Sequence, residues 1–297
     1  MRPVFHHQKE TAYFCKPERP DPIYARKLQE LIGGQWGEMS VMTAYLFQGW
    51  NCRGPAKYKD MLLDIGTEEI GHVEMLATMV ARLLESSPVE AQEHAASNPA
   101  VGAILGGSRI EDAILTGMDP QHFIVSGLGA TPNDSNGFPF TARYVVASGN
   151  LLADFRYNVA AESQGRMQAC RMYEMSQDRG VRDMLHFNIA RDTMHQNQWL
   201  AAIEQLKLDG LEDTLCPGNF PQELEKHDAA YTFLNHSRGT ESKEGRWASG
   251  PSMDGRGQFT YIEDVPALGD APVLGMIDPR VHGTSPAPQQ PVSGTAD

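Results

Sequence analysis

The stretch KYKDMLLDIGTEEIGHVEMLATMVARLLE, Lys57 to Glu85, decides the fold. Gly54-Pro55 precedes it and Ser86-Ser87-Pro88 closes it, a start and a stop that bound one long helix. At about 100° per residue, Leu62, Ile65, Leu76, Val80 and Leu83 fall within about 40° of Glu69, and His72 lies about 60° from it. A carboxylate and an imidazole three residues apart therefore sit in the apolar stripe. Glu68, spaced i,i+4 to His72, is about 100° off at the stripe's edge, so Glu69 and His72 are the better inward-facing ligand pair.

Three further helical segments flank this one. A first opens at Asp21-Pro22, a capping residue followed by proline at the first helical position, and runs to about Gly49, interrupted at Gly33-Gly34 where close packing or a bend is expected. A third runs from about Ala142 to Gln177, and a fourth from Val181 to about Leu208, after Arg179-Gly180. Between the two pairs, Val89 to Thr141 dissolves into glycine, proline and short apolar runs, with a hairpin possible within it. Two hairpin-like helix pairs joined by one long crossover is the plan of a ferritin-like four-helix bundle, an all-α core. The expected division is a bundle domain over 1–235, with the crossover at about 88–141, and an extended, mostly irregular tail over 236–297. Seven of the nineteen prolines lie after residue 250, so the tail cannot form a core of its own.

The other seams also carry ionisable groups. Glu162 shares a face with Leu151, Phe155, Ala169 and Tyr173, and Glu38 shares one with Tyr24, Leu31, Met42 and Tyr45. The fourth helix holds two DxxH pairs. Asp192 and His195 fall in the stripe of Val181, Leu185, Ile189, Trp199 and Ile203, whereas Asp183 and His186, half a turn out of phase, point away. One such residue alone reads as a satisfied core polar group; four carboxylates in one core demand positive charge, because each buried unpaired costs several kcal/mol. Three ligand carboxylates and two neutral imidazoles leave about −3, close to what two divalent metals with bridging oxygen anions would offset. Oxygen and imidazole donors without thiolate favour Mn or Fe over Zn or Cu(I).

Composition excludes other classes. The 297 residues carry 38 acidic against 25 basic side chains, a net charge of −13, and no cluster of Lys and Arg, which argues against nucleic acid or an anionic membrane surface as partner. No stretch reaches the roughly 18–20 apolar residues of a membrane span, and MRPVFHHQKE at the start has no apolar core of a secretory leader. Four separated cysteines without CxxC read as reduced thiols, and a cytoplasmic location is expected. His6-His7, His94 and His122 lack partners at ligand spacing, and GAILGGS around Gly106 lacks the context of a phosphate loop.

GGQWGE ending at Glu38, TEEIGH with Glu69 and His72, NVAAES with Glu162 and RDTMHQNQW with His195 together resemble the manganese catalases of the ferritin-like superfamily, over roughly residues 20–240. The resemblance implies that Glu38, Glu69, His72, Glu162 and His195 bind two Mn ions, with Glu69 and Glu162 or a similar carboxylate pair shared across the cluster. It implies hydrogen peroxide as substrate, dismutated to oxygen and water. Where the family typically has a glutamate as acid/base, this chain has Asp192, one methylene shorter, which leaves a direct or a water-mediated proton transfer open. Tyr45 matches a tyrosine near the family's substrate channel. The family also suggests calcium: Asp60 and Asp64 are i,i+4 neighbours opposite the core stripe, and NHSRG offers oxygens from Asn235, Ser237 and Gly239. Family members assemble as hexamers with such tails wrapping neighbours, so a homohexamer is expected. Two other readings keep the same bundle, a di-iron oxidase or oxygenase and a non-catalytic metal-storage or coat protein.

Overall fold

The structure is a computed structural model that describes residues 9–87, 117–212, 217–218, 220–267, 269–275 and 277–282. His6, His7, His94 and the GAILGGS segment lie outside the described residues. The chain divides into two compact units, Met1–Asn219 and Phe220–Asp297.

The first unit is built on helices α1 (Pro22–Leu28), α2 (Glu30–Gly33), α3 (Glu38–Asn51), α4 (Ala56–Leu83), α5 (Pro120–Ile124), α6 (Leu151–Glu174) and α7 (Arg179–Leu208). Asp21 caps α1 by accepting from the Tyr24 N–H at 2.8 Å, with Pro22 in the first turn. The segment expected as one helix from Asp21 to Gly49 is broken into three. Gly33 stands at the second break: a Cβ there would lie 2.4 Å from the Asn133 carbonyl carbon, so only glycine lets the crossover backbone pass this close. Gly34 then turns extended and Gly37 caps α3, so Glu38 is the first residue of a new helix.

α4 pairs with α3, and α6 with α7, as two antiparallel hairpins. α6 begins at Leu151 rather than near Ala142. Residues Ala142–Tyr144 form only a 3-10 turn, Gly149 takes a φ of +81°, and Asn150 caps the helix by accepting from Ala153 N–H at 2.9 Å. Asp178 does the same for α7 through Val181 N–H at 3.0 Å. Within the crossover, Asn133 and Pro139 pair across a small hairpin turn, as its glycine-rich sequence allows.

Two apolar clusters fill the bundle. One gathers Tyr24, Leu28, Met75, Leu76, Met79, Ala169, Met172, Val181 and Leu185. The other gathers Val41, Tyr45, Leu62, Ile65, Phe155, Ala161, Trp199 and Ala202. Along α4 the second cluster precedes Glu69 and the first follows His72; along α7 the order is reversed about Asp192 and His195. The ionisable residues therefore occupy one layer, with apolar packing on either side to exclude water. No helix among the described residues is long and apolar enough to cross a membrane.

The second unit contains α8 (His227–Ala230), α9 (Pro279–His282) and a three-stranded sheet. β1 (Thr232–Leu234) runs parallel to β3 (Gln258–Ile262), which pairs antiparallel with β2 (Gly250–Pro251), giving the order β1-β3-β2.

Candidate metal centre

All five residues expected as ligands converge in the layer between the clusters. Glu69 stands at the middle: its Oε2 lies 2.5 Å from His72 Nδ1 and its Oε1 lies 2.7 Å from His195 Nδ1. Glu38 Oε2 is 3.7 Å from His72 Nδ1, and Glu162 Oε1 is 3.7 Å from His195 Nδ1. The imidazoles face one another with centroids 5.7 Å apart and planes 27° apart. Glu69, His72, Glu162 and His195 are essentially sealed from solvent, and Glu38 nearly so.

Two triads of donor atoms result, Glu38–Glu69–His72 and Glu69–Glu162–His195, each within 4.8 Å. They share Glu69, one oxygen turned toward each histidine. Two divalent cations could be held there, one by each triad, with Glu69 offering an oxygen to both. The fit is tested by the histidines: both ring nitrogens of His195, and Nε2 of His72, are buried without a properly directed hydrogen bond among the described residues. Buried polar atoms left so are costly unless something else takes their lone pairs. A set of carboxylate oxygens and imidazole nitrogens without thiolate suits Mn or Fe.

The electrostatics lean the same way. Burial pushes Glu162 up to about 8, with the Glu69 charge adding to it and His195 and Tyr45 opposing. Burial and then Glu69 raise Glu38. Asp192 is raised well above the usual carboxylate range by burial, then by Glu38, Glu162 and Glu69. Burial opposes charge on His195, yet the close contact and charge of Glu69 and the charge of Glu162 lift it to about 9. His72 is likewise raised, its burial outweighed by Glu69, Glu38 and Glu68. Only Glu69 falls, because the two histidines beside it overcome its own burial. The cluster gathers protons because it needs positive charge, and divalent cations would supply that charge in their place.

Asp192 lies in the same layer, 4% exposed, accepting from Asn188 Nδ2 at 3.1 Å. Tyr45, fully buried, donates its hydroxyl to Glu162 Oε1 at 2.7 Å. His186 and Asp183 are exposed, on the outer face of α7 as its periodicity requires. Asp60 and Asp64 are exposed on α4. In the second unit, Ser237 N–H donates to Asn235 Oδ1 at 3.1 Å and its hydroxyl to the Gly239 carbonyl at 3.0 Å, so those three residues share one turn.

The sequence matches the family described as manganese containing catalase over residues 4–293. The chain belongs to that family. A manganese catalase of Bacillus subtilis is 52% identical over 283 residues, covering 95% of this chain and 99% of the relative. A manganese catalase of Lactiplantibacillus plantarum is 44% identical, over 94% of this chain and 98% of its own length. Among solved structures, KatB, a manganese catalase from Anabaena, superposes with a TM-score of 0.66 at 26% identity, covering 88% of this chain and 100% of that one.

Around this manganese catalase cluster stand residues that helical phase alone does not single out. Glu68 accepts from Arg191 in a two-pronged contact, 2.5 Å from Nε and 3.1 Å from Nη2. The same carboxylate lies 3.2 Å from His195 Nε2 and 3.7 Å from His72 Nε2. It thus faces the outer edges of both imidazoles whose inner nitrogens face Glu69. The nearby His72 imidazole lowers the Glu68 pKa, burial opposing and Arg191 and His195 adding to the fall. The sequence holds a signal for this set: Glu68 and Arg191 are the i−4 neighbours of His72 and His195, as Asn188 is of Asp192. His122, read from the sequence as lacking a partner at ligand spacing, has Asp119 three residues before it, with Oδ2 3.8 Å from Nε2; it is fully buried and pairs with Gln29 Oε1 at 3.0 Å, a packing role in the crossover.

Proposed function

We propose that this chain disproportionates hydrogen peroxide to water and oxygen at a pair of Mn ions held by Glu38, Glu69, His72, Glu162 and His195. The observation that carries the reading is the pair of donor triads sharing Glu69 in a water-excluded layer of a manganese catalase family member. When bound, a manganese pair supplies the two-electron exchange that oxidises one peroxide to oxygen and reduces a second to water.

The protein's own groups hold geometry and protons. Glu68, fixed by Arg191, faces the outer Nε2 edge of both imidazoles, 3.2 Å from His195 and 3.7 Å from His72, and its charge favours the tautomer that leaves each Nδ1 lone pair directed inward. Tyr45 donates to Glu162 Oε1 and so keeps that oxygen an acceptor. Asp192 takes protons from the peroxide being oxidised and returns them to the oxygen of the one being reduced, as general acid and base. The apolar clusters on either side keep the space small, which favours a substrate of two heavy atoms.

Asp192→Asn keeps the volume and removes the exchangeable proton. The variant should retain Mn while oxygen evolution falls by about 10²–10⁴-fold. Unchanged turnover would remove Asp192 from this role.

Calcium belongs to the same proposal, with Asp60, Asp64, Asn235, Ser237 and Gly239 as the candidate oxygen donors that the family resemblance suggests. A homohexamer and a cytoplasmic location complete the reading. They rest on the family resemblance and on the reduced thiols; Cys15, Cys52 and Cys170 form no disulfide.

A further inference from the structure

We propose that Asn188 is a positioning residue for this reaction, tying the acid/base Asp192 to the metal ligand Glu38 through one amide nitrogen. The inference rests on the catalase reading above. Asn188 Nδ2 lies 2.8 Å from Glu38 Oε1 and 3.1 Å from Asp192 Oδ1. An amide –NH₂ carries two hydrogens, so each carboxylate receives one of its own. Both neighbours are carboxylate oxygens, which fixes the amide with its nitrogen toward them. At the other end, Asn188 Oδ1 is buried and accepts nothing among the described residues. The side chain, 1% exposed, is therefore held from its nitrogen alone, by these two carboxylates.

The bond pattern divides the oxygens by task. Glu38 Oε1 and Asp192 Oδ1 are taken as acceptors. Glu38 Oε2, the oxygen nearer His72 Nδ1, is left for the metal, and Asp192 Oδ2 for the travelling proton. Two buried carboxylates with nothing between them would repel and swing apart, since no other hydrogen bond holds the Asp192 side chain among the described residues. Asn188 stands one turn before Asp192 on α7, on the same face, and reaches across to Glu38 where α3 begins. An aspartate is a short acid for this task. A tether one turn behind it, anchored on a ligand, fixes that short side chain at a set distance from the metal pair.

The test uses Mn-loaded full-length protein and two variants. Asn188→Leu keeps the branched shape, at a somewhat larger volume, and removes both donors; Asn188→Thr keeps one donor on a shorter side chain. Measured are kcat and KM for oxygen evolution from peroxide and, independently of turnover, the rate at which EDTA strips Mn, with Asp192→Asn as comparison. Expected for Asn188→Leu are a kcat lower by roughly 10–100-fold, a KM within about twofold of the parent, and Mn loss faster by roughly tenfold. Asn188→Thr should fall between parent and Leu on both readouts. Asp192→Asn should not speed Mn loss, because Asp192 is not a ligand. Parent-like kcat and parent-like Mn loss in both variants would overturn the proposal, as would a loss expressed in KM alone. If the Mn-loaded parent itself evolves no oxygen, the catalase reading fails, and the Mn-loss arm still decides whether Asn188 holds Glu38.

Discussion

Glu69 shows how far one side chain can organise a site. Its two oxygens face two histidines on different helices, at 2.5 and 2.7 Å, and the outer edges of the same rings face Glu68. Adjacent glutamates on one helix thus clasp both imidazoles from inside and outside. Arg191 anchors the outer clasp through two nitrogens, a geometry a lysine could not reproduce. Glu68→Gln and Arg191→Ala should therefore each weaken Mn binding by roughly 10–100-fold without altering the ligand set, as measured by Mn retention after dialysis against graded chelator. Parent-like retention in both would mean that the rings are oriented by packing alone. Glu69, His72, Glu162, Asp192 and His195 are legible in the sequence because a 100° step assigns a face on any straight helix. Glu68, Arg191 and Asn188 show in the sequence only their i−4 spacing to His72, His195 and Asp192; which partner each meets depends on the register between helices, which no single helix encodes.

Elements tell a similar story at their ends. Glu38 faces the buried layer although the helix assumed to carry it is broken, since α3 alone buries Val41 and Tyr45 about one and two turns after it. The start of α6 misreads because Tyr144, Val145 and Val146 mimic a helical apolar face, while Gly149 and Asn150 supply the actual stop and cap. The interruption at Gly33-Gly34 is visible in sequence, but its cause, the Asn133 backbone, is not. At the far end of α7, Asp209 accepts from Lys57 at 2.5 Å, Tyr58 at 2.7 Å and Gln205 at 2.8 Å, locking that terminus to the start of α4. These partners, Lys57 first, lower the Asp209 pKa from 3.8 to about 2. A depressed folded-state pKa contributes stability that is present above the unfolded value and lost as pH falls toward the folded one. Urea unfolding of the parent and Asp209→Asn should show a midpoint gap above about pH 4 that narrows toward pH 2. A gap independent of pH would exclude a charge effect.

For the whole molecule, the net charge of −13 divides into parts with different roles. Glu38, Glu69, Glu162 and Asp192 belong to the buried layer, and Asp60 and Asp64 to the proposed calcium site, so part of the acidity is there to be met by cations. A ligand bound only by the folded state adds about 2.7 kcal/mol at a hundredfold excess over Kd, or roughly 5–10 °C in Tm for a unit of this size. Calorimetry on chelator-treated protein should show that drop, with Mn alone restoring most of it. Calcium should add a further increment that Asp60→Asn abolishes, and light scattering on the same samples reads the oligomeric state, expected to be a hexamer. A Tm indifferent to Mn would contradict a buried cluster of this charge; one indifferent to calcium would remove the second site.

The central claim is that this layer holds two Mn ions and turns over peroxide with them. The direct measurement is metal content together with oxygen-electrode traces on protein produced with Mn and Fe both supplied. The account predicts two Mn per chain and one O₂ evolved for every two peroxides consumed. Protein that carries Mn at that ratio yet evolves no oxygen, or that takes up Fe and consumes oxygen, would contradict it.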